Sequence, residues 1–414
     1  MTLAHSSPDI PKTLPDGYLV LPFENQSGVT GLDWMRAALP AALAEKLEAH
    51  PALRPTHGPM ILPPGPPLSE VTEEEVRKRG SQADAKWVFT GAFSRPQWKL
   101  EITLSLWSVE AGGAALVGKR TERGEFPRAF EMLDSMALDL LGTAGRRAAP
   151  AAIEKIQRVP TKDFYSFTLF GRGLTAAHGL GKPPDLAKAE KDLSKAVFID
   201  PKYAEAHRLL AVVYDQKGEE AKARGRRAFS LDVRPDYYMP LVGLVRSAFA
   251  AKDREEGIAL AGRALVLRPW DMEVRYLLAE MLLEEGNVDG AHLELTRLVA
   301  VKPDHIQARR ALVLVHATKG ASQDLAEELE VVTRLDPTDE AAKLDLGAAY
   351  VALGKDSQAI SIYETVARDN PKQILALKLL GDLHKQRGDL HRAIDYYEKA
   401  LVANRNDPRP YFLL

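Results

Sequence analysis

The stretch EAAKLDLGAAYVALGKDSQAISIYETVARDNP, residues 340–371, holds two amphipathic segments that are separated by a glycine and closed by a proline. Glycine suits the left-handed backbone position that ends a helix, and proline cannot continue one. The stretch therefore predicts two helices joined by a tight turn. Because one helix pair cannot bury its apolar face alone, we expect further pairs to stack against it.

Proline recurs every 34 residues through most of the chain, each time after an apolar helix end. A fixed period of this length is the signature of a helical repeat array. The prolines are Pro201, Pro235, Pro269, Pro303, Pro337 and Pro371.

Two further landmarks keep the same phase. A small residue, as close helix packing requires, stands twelve positions before the proline in most units. It is found as Ala189, Ala223, Gly257, Ala291, Ala359 and Ala393, with Leu325 as the exception. A glycine stands seventeen positions before the proline, as Gly218, Gly286, Gly320, Gly354 and Gly388.

These landmarks resemble the tetratricopeptide repeat (TPR), which has a 34-residue period and the pattern Leu-Gly, Tyr, Gly, Ala, aromatic, Ala and Pro. The match runs from about Phe170 to Arg405 and is most specific in the last two units. Repeats three and five lack the Leu-Gly pair. The resemblance implies an all-α superhelix over residues 170–405, with about seven helix-turn-helix units that start near 170, 204, 238, 272, 306, 340 and 374.

The first third of the chain lacks this period and mixes strand-like with helix-like segments. YLVLPF, residues 18–23, has the character of a buried strand. A helix is expected over 33–50, begun or kinked near Pro40, and a second over 69–83 with Ser69 as its N-cap. Between them, GPMILPPGPP (58–67) predicts a surface loop.

Three strand-like runs and a helix complete this region. In the middle run Leu100, Ile102, Leu104 and Leu106 alternate with polar residues, so we expect one buried face. The pattern predicts an α/β sandwich of about 130 residues and, with the helical array, an α+β protein overall. The runs are WVFTGAF (87–93), KLEITLSLWSV (99–109) and AALVGKRTE (114–122), and the helix is PRAFEMLDSMALDLLG (127–142).

This region carries a second resemblance. VLPFENQSG, followed by a helix and by ADAKWVFTGAFSRPQWKLEITLSLWSVEAGG, is similar to the TolB amino-terminal-like domain of bacteria over roughly Leu14 to Gly145. DFYSFTLFGRGL resembles the junction that joins this domain to TPR units. We therefore expect a disordered tail over 1–14, the TolB-like domain over 15–145, a linking helix over 146–169 and a carboxyl-terminal tail over 406–414.

Composition restricts the classes of function. Basic and acidic residues number 55 and 57, for a net charge of −2, so no global field attracts nucleic acid or an anionic membrane. The chain has no cysteine, which excludes thiolate chemistry and disulfides. Its start lacks the features of a secretory signal, and no apolar run is long enough to span a membrane. We expect a cytoplasmic protein, or a periplasmic one if a signal peptide has been trimmed.

Motifs for catalysis or cofactors are weak throughout. The nearest approach to a phosphate-binding loop, Gly179 to Lys182, has Ala176 in place of the first glycine and Pro183 in place of the hydroxyl, so we interpret it as a helix-ending loop. His384 and His391 lie on different predicted helices, which argues against zinc. Glu73, Glu74 and Glu75 are adjacent in sequence and point around one helix toward solvent, so they are poor candidates for paired acid/base catalysis. We predict no enzyme, no cofactor and no metal.

A binding surface remains as the predicted functional feature. The TPR resemblance implies that the first helices of the units line a groove, which suits a peptide or helix with apolar anchors and both signs of charge. For Val212 and Leu344, packing between units is an equal alternative. The predicted groove residues are Arg208, Met239, Arg246, Phe249, Tyr276, Glu280, Arg310, Lys378 and Asp382.

Two smaller sites are open alternatives. Lys222, Arg224, Arg226 and Arg227 form a basic cluster that could contact an acidic partner, although a solvated helix face is the simpler interpretation. Glu24 and Asn25, at the end of the first strand, are where the small domain would hold a ligand. The first hypothesis is a non-catalytic adaptor that binds protein partners and no nucleic acid in a bacterial complex. The alternative is a sensor whose α/β domain binds a small molecule.

Overall fold

The computed structural model describes residues 7–11, 13–56, 71–179 and 183–403. The chain forms two compact units, Pro11–Ala250 and Met1–Ile10 with Ala251–Leu414. The predicted loop 58–67 and the predicted tail 406–414 lie outside the described residues.

The first unit opens with a mixed six-stranded sheet in the order β3-β1-β4-β5-β6, with β2 paired to β4. β1 is parallel to β3 and β4, whereas β4, β5 and β6 run antiparallel to one another. The three long predicted strands are confirmed, and β2 and β3 are short. The bounds are β1 Asp16–Val20, β2 Glu24–Asn25, β3 Leu53–Pro55, β4 Trp87–Ser94, β5 Leu100–Glu110 and β6 Gly113–Gly124.

Three helices pack on this sheet: α1 Met35–Leu47, α2 Glu73–Gln82 and α3 Ala129–Thr143. The predicted N-cap of α2 was wrong. Its cap is Thr72, whose hydroxyl accepts a hydrogen bond from the Glu75 amide at 3.3 Å, because the helix starts later than its polar leading sequence suggests. Short 3₁₀ turns lie at Thr30–Leu32, Pro96–Trp98 and Phe126–Arg128.

Helices pack on both faces of the sheet, and they cover one face more completely than the other. In β5, Leu100, Ile102, Leu104 and Leu106 are fully buried, as the alternation predicts, and they face the core that also contains α1 and α3. Val88 and other residues of the opposite face pack against Val76 of α2. Hydrophobic burial on both sides therefore holds the domain together.

The region between domain and array contains two helices where we expected one over 146–169. α4 spans Pro150–Ile156 and α5 spans Phe164–His178. Pro160 lies between them and cannot donate a helical hydrogen bond. α5 begins at Phe164, six residues before position 170. Its N-cap is Asp163, whose carboxylate accepts a hydrogen bond from the Ser166 amide at 2.6 Å.

Counted from α5, the described residues of the array form fourteen helices, which are arranged as seven consecutive pairs. After α5 they are α6 Leu186–Ile199, α7 Ala204–Gln216, α8 Glu220–Val233, α9 Tyr238–Ala251, α10 Arg254–Leu267, α11 Met272–Glu285, α12 Val288–Val301, α13 Ile306–Lys319, α14 Ser322–Leu335, α15 Glu340–Ala352, α16 Asp356–Asp369, α17 Ile374–Gln386 and α18 Leu390–Ala403.

The turn glycines behave as the repeat pattern predicts. Gly218, Gly286, Gly320, Gly354 and Gly388 all have positive φ, between 66° and 85°. Gly179 likewise ends α5 with a φ of 62°, which fits the helix-ending interpretation of that residue; residues 180–182 lie outside the described part. In the third pair Lys252 takes the glycine's place and keeps its left-handed φ of 58°.

The expected disorder of residues 1–14 is corrected from Ser7 onward. Within the described part of this segment, Ser7 is buried and hydrogen-bonded to Glu294 in α12. Ser7 is ordered because its hydroxyl donates a hydrogen bond to the buried Glu294 carboxylate. The composition of the segment does not reveal this contact.

Candidate protein-interaction site

Arg208 is the first predicted groove residue, and it is already engaged inside the chain. Its guanidinium lies 2.6 Å from the carboxylate of Glu45 in α1, and both side chains are almost completely buried. Its Nε donates a second hydrogen bond to the Tyr237 hydroxyl at 2.6 Å. The expectation that Arg208 lines an open groove was therefore wrong, because α1 of the α/β domain covers it.

The electrostatics around this pair reflect burial. Burial raises the pKa of the Glu45 carboxyl to about 7, although Arg208 acts to lower it. Burial acts to lower the pKa of the Arg208 guanidinium, but Tyr237 and Glu45 together raise it above its ordinary value. The arginine therefore stays charged and depends on its two partners for compensation.

Apolar contacts accompany the ion pair. Trp34, directly before α1, meets Phe167 of α5 edge to face, with ring centroids 5.4 Å apart. Gly171 of α5 faces Trp34 and Ala38, and a Cβ at Gly171 would lie only 2.3 Å from the Trp34 ring. α1 thus rests on the first helix of the first pair and, through Glu45, on the first helix of the second. One continuous apolar core joins the sheet domain to both pairs.

The remaining predicted groove residues lie on first helices, as expected, with varied exposure. Arg246 is exposed, whereas Met239 and Phe249 are half-buried on the same helix, α9. Tyr276 is half-buried, and its ring lies 5.5 Å from that of His305. Burial and a hydrogen bond with Glu280 raise the pKa of Tyr276 to about 12. Tyr276 and Glu280 thus place an aromatic ring and a carboxylate together on α11.

Three groove predictions have structural roles within the array. Arg310 donates to Asp336 at 2.9 Å and to Asp339 at 2.8 Å, so it bridges α13 to the next turn. Asp382 accepts a hydrogen bond from Tyr397 at 2.7 Å within its own pair. Leu344 packs against an apolar core cluster, as the packing alternative proposed.

Lys378 and Val212 are both half-buried on first helices, in α17 and α7 respectively.

The basic cluster in α8 is dispersed by the fold. Arg227 is buried and forms an ion pair with Asp215, so it does not belong to an exposed patch. Arg226 approaches the His207 ring nitrogen at 3.3 Å. Lys222 pairs with Glu219 at 2.5 Å and is 61% exposed. Because its members point in different directions around a helix, the cluster offers no continuous cationic surface; Arg224 is half-buried.

Glu24 and Asn25 form β2 and are used by the loop that follows. The Asn25 amide donates to Asp33 at 2.7 Å and to the Val29 carbonyl at 3.1 Å. Its carbonyl oxygen accepts from the Ser27 amide at 3.0 Å, and Glu24 accepts from Gln26 at 2.7 Å. Their polar groups thus order the connection to α1.

A recurring contact escaped the sequence analysis. In three pairs, the fourth residue of the unit hydrogen-bonds the carbonyl of the preceding repeat proline. His207 meets Pro201 at 3.0 Å, Arg275 meets Pro269 at 2.7 Å and Arg309 meets Pro303 at 3.0 Å. The available signal was the repetition of a long nitrogen-bearing side chain at 34-residue spacing.

Within the described ranges, no group of three or more His, Asp or Glu side chains is arranged to hold a metal ion. The described helices likewise include none with the length and apolar character that crossing a membrane requires.

The fold and its surface define an α-helical repeat protein that carries a sheet domain. Comparison with models of known protein families identifies the type of repeat. Two descriptions of the tetratricopeptide repeat match residues 248–313 and 344–408, and a bacterial transcriptional activator domain matches residues 286–373. The helical array contains tetratricopeptide repeats over these two stretches. None of these matches includes residues 15–145, so the TolB likeness of the sheet domain stays a prediction.

Relatives of known name share the repeats at low identity. Tetratricopeptide repeat protein 21A of Mus musculus is 24% identical over 211 residues, which are 50% of this chain and 16% of that protein. The CTR9 homolog of Arabidopsis thaliana is 24% identical over 128 residues, 30% of this chain and 12% of that protein. The match thus spans less than a fifth of either relative.

Solved structures of tetratricopeptide repeat proteins are similar to part of this chain. A tetratricopeptide repeat protein from Parabacteroides merdae ATCC 43184 shares 16% identity over 61% of this chain and 98% of its own, with a TM-score of 0.39. YrrB, described as a TPR protein with an unusual peptide-binding site, shares 18% identity over 48% of this chain and 100% of its own, with a TM-score of 0.41.

Proposed function

We propose that this protein is a non-catalytic interaction scaffold whose first repeat helices bind a segment of a partner protein. The observation that carries the proposal is the docking of α1. A helix of the sheet domain already lies on the first helices α5 and α7, held by an ion pair at 2.6 Å and an aromatic contact. A charged anchor combined with apolar contacts is how a helix is recognised in a groove.

The first helices beyond α7 offer the same chemistry to another chain. Tyr276 and Glu280 of α11 combine a partly exposed aromatic ring with a carboxylate. Lys378 of α17 adds a positive charge on an equivalent helix. Aromatic and charged anchors of this kind dominate binding energy at protein interfaces. We therefore infer a partner segment with apolar anchors and charges of both signs.

The setting of this function is part of the same proposal. The TolB resemblance favours a bacterial multiprotein complex that the chain helps to assemble or regulate, in the cytoplasm. The sensor alternative has less support, since the polar groups of Glu24 and Asn25 bond within their own loop.

A photo-crosslinking experiment tests the binding face. A crosslinking amino acid is placed at Tyr276 in α11 and, as a matched control, at Leu293 in α12, which is 43% exposed on the second helix of the same pair. The full chain is expressed in bacterial cells and irradiated. We expect a defined crosslinked protein from position 276 and none from position 293. Equal crosslinking from both positions, or none from position 276, would contradict the proposal.

A further inference from the structure

A buried ion pair forms a second, separate polar site in the array. Arg275, at the start of α11, pairs with Glu294 of α12, and the two side chains are 0% and 1% exposed. Arg275 also donates to the Pro269 carbonyl at 2.7 Å, which fixes its direction. Burying two charges is costly unless their remaining hydrogen-bonding groups are satisfied, so this pair needs further polar partners.

The side chain of Ser7 supplies one of those partners. Its hydroxyl lies 2.7 and 2.8 Å from the two carboxylate oxygens of Glu294, to which it donates. The same oxygen accepts from the Arg275 guanidinium at 2.8 Å. A single hydroxyl thus bridges both members of the ion pair and is itself buried.

The backbone and the acid that follow Ser7 complete the contact. Arg275 donates to the Pro8 carbonyl at 2.9 Å. Arg297, one turn beyond Glu294, donates to the Ser7 carbonyl at 2.8 Å and forms an ion pair with Asp9. The site therefore contacts four groups of the Ser7–Asp9 segment: a hydroxyl, two carbonyls and a carboxylate.

The next repeat offers a comparison within the same chain. Arg309 and Glu328 stand 34 residues after Arg275 and Glu294 and pair at 2.8 Å. Their side chains keep 14% and 16% exposure. Val331 occupies the position that corresponds to Arg297. The ion pair thus belongs to the repeat design, whereas complete burial and a second arginine distinguish the site that holds Ser7.

We propose that Arg275, Glu294 and Arg297 form a binding site for a peptide segment with the order hydroxyl, proline, carboxylate, and that Ser7–Asp9 occupies this site in cis. A partner segment with the same pattern binds there only after the internal one has left, because the occupied site leaves Arg275 no exposed surface. This site is distinct from the first-helix surface proposed above and stands independently of it.

Tethering explains why the internal segment excludes a free peptide. A covalently attached ligand has an effective concentration on the order of millimolar, so an untethered competitor of equal chemistry binds weakly to the occupied chain. A change that expels the internal segment exposes the site and restores binding. Replacing Ser7 by glutamate should do this, because it sets a second carboxylate against that of Glu294.

The test compares peptide binding to the full chain with and without the Ser7→Glu substitution. The probe is a fluorescein-labelled peptide with the sequence AHSSPDIPKT, residues 4–13, titrated with protein to millimolar concentration in an anisotropy assay. We expect binding to the Ser7→Glu chain that is about tenfold tighter or more than binding to the unchanged chain, which corresponds to about 1.4 kcal/mol. A peptide with lysine in place of Asp9 should bind more weakly.

Matched arginine variants locate the binding. In the Ser7→Glu chain, Arg297→Ala should weaken the peptide about tenfold, as expected for a lost charge-assisted hydrogen bond. Arg263→Ala, at the same position one repeat earlier, should leave binding unchanged. If Ser7→Glu unfolds the array, the double change Ser7→Ala and Asp9→Lys expels the segment without a buried charge. Equal binding to the changed and unchanged chains, no binding to the changed chain, or equal loss from both arginine variants overturns the proposal.

Discussion

A 2.6 Å ion pair joins Arg208 of α7 to Glu45 of α1, and both side chains are almost completely buried. The two residues are 163 positions apart in the chain. The contact unites a repeat helix with the sheet domain, so the first two helix pairs and the sheet form one structural body. Its strength and its dependence on pH can both be measured.

Removing one partner should strongly destabilise this body. Glu45→Ala leaves the charged Arg208 guanidinium buried without the carboxyl oxygen that accepts its hydrogen bond, whether or not Glu45 is protonated, and breaking such a buried pair typically costs about 3–5 kcal/mol. Urea unfolding of the full chain, followed by fluorescence of Trp34 and the other tryptophans, measures the loss. The control is Lys399→Ala, which removes an exposed pair with Asp395 and should cost less than about 1 kcal/mol. A Glu45 variant as stable as this control would refute the prediction.

Stability should also fall as pH rises across the range in which Glu45 titrates. Burial raises the pKa of Glu45 from its ordinary 4.5 to about 7 in the folded chain. The folded state therefore binds the proton more readily than the unfolded state, so this contribution is fully present below about 4.5 and is lost as pH rises through about 7. The difference between the urea midpoints of the unchanged chain and of Glu45→Gln should therefore decline between pH 4 and 8. An unchanged slope in Glu45→Gln would assign the effect to other groups.

Two repeat helices contain a glycine that a tyrosine ring covers, so replacing this glycine by a larger residue should destabilise the fold. A Cβ at Gly347 would lie 2.2 Å from the Tyr363 ring, and Gly381 is covered by Tyr397 in the same way. Gly347→Ala should cost about 1–3 kcal/mol by overpacking, although alanine favours helices. Gly262→Ala, where the added atom meets nothing within 4 Å, should instead stabilise by up to about 1 kcal/mol. Thermal unfolding distinguishes the two, and changes of the same sign would contradict this account.

Lys252 holds a backbone conformation that suits glycine better. Its φ is 58°, at the position that glycine occupies in five other pairs. A left-handed conformation costs a non-glycine residue about 1–2 kcal/mol. Lys252→Gly should therefore raise the thermal midpoint, whereas Gly320→Ala at the equivalent turn should lower it. A lower midpoint for Lys252→Gly would show that the strain is absent.

The local rules of helix and turn could be predicted from sequence because each operates within one repeat. Proline at 34-residue spacing marks the ends of second helices, and the turn glycines adopt the expected positive φ. Alternation in β5 likewise identifies its buried face before any neighbour is known. These features depend on backbone sterics and on periodic burial, which residues close in sequence determine.

The candidate site was predicted less completely because its contacts are long-range. Repeat phase places Arg208 on a first helix, but it does not reveal that α1 covers this residue. Linear order also hides the 287 positions that separate Ser7 from Glu294. Sequence by itself thus determined the repeat array and the sheet domain. Only the tertiary structure showed that other segments of the chain cover Arg208 and Glu294. The physical reason is that a buried charge needs a partner close in space, and that partner can be distant in sequence.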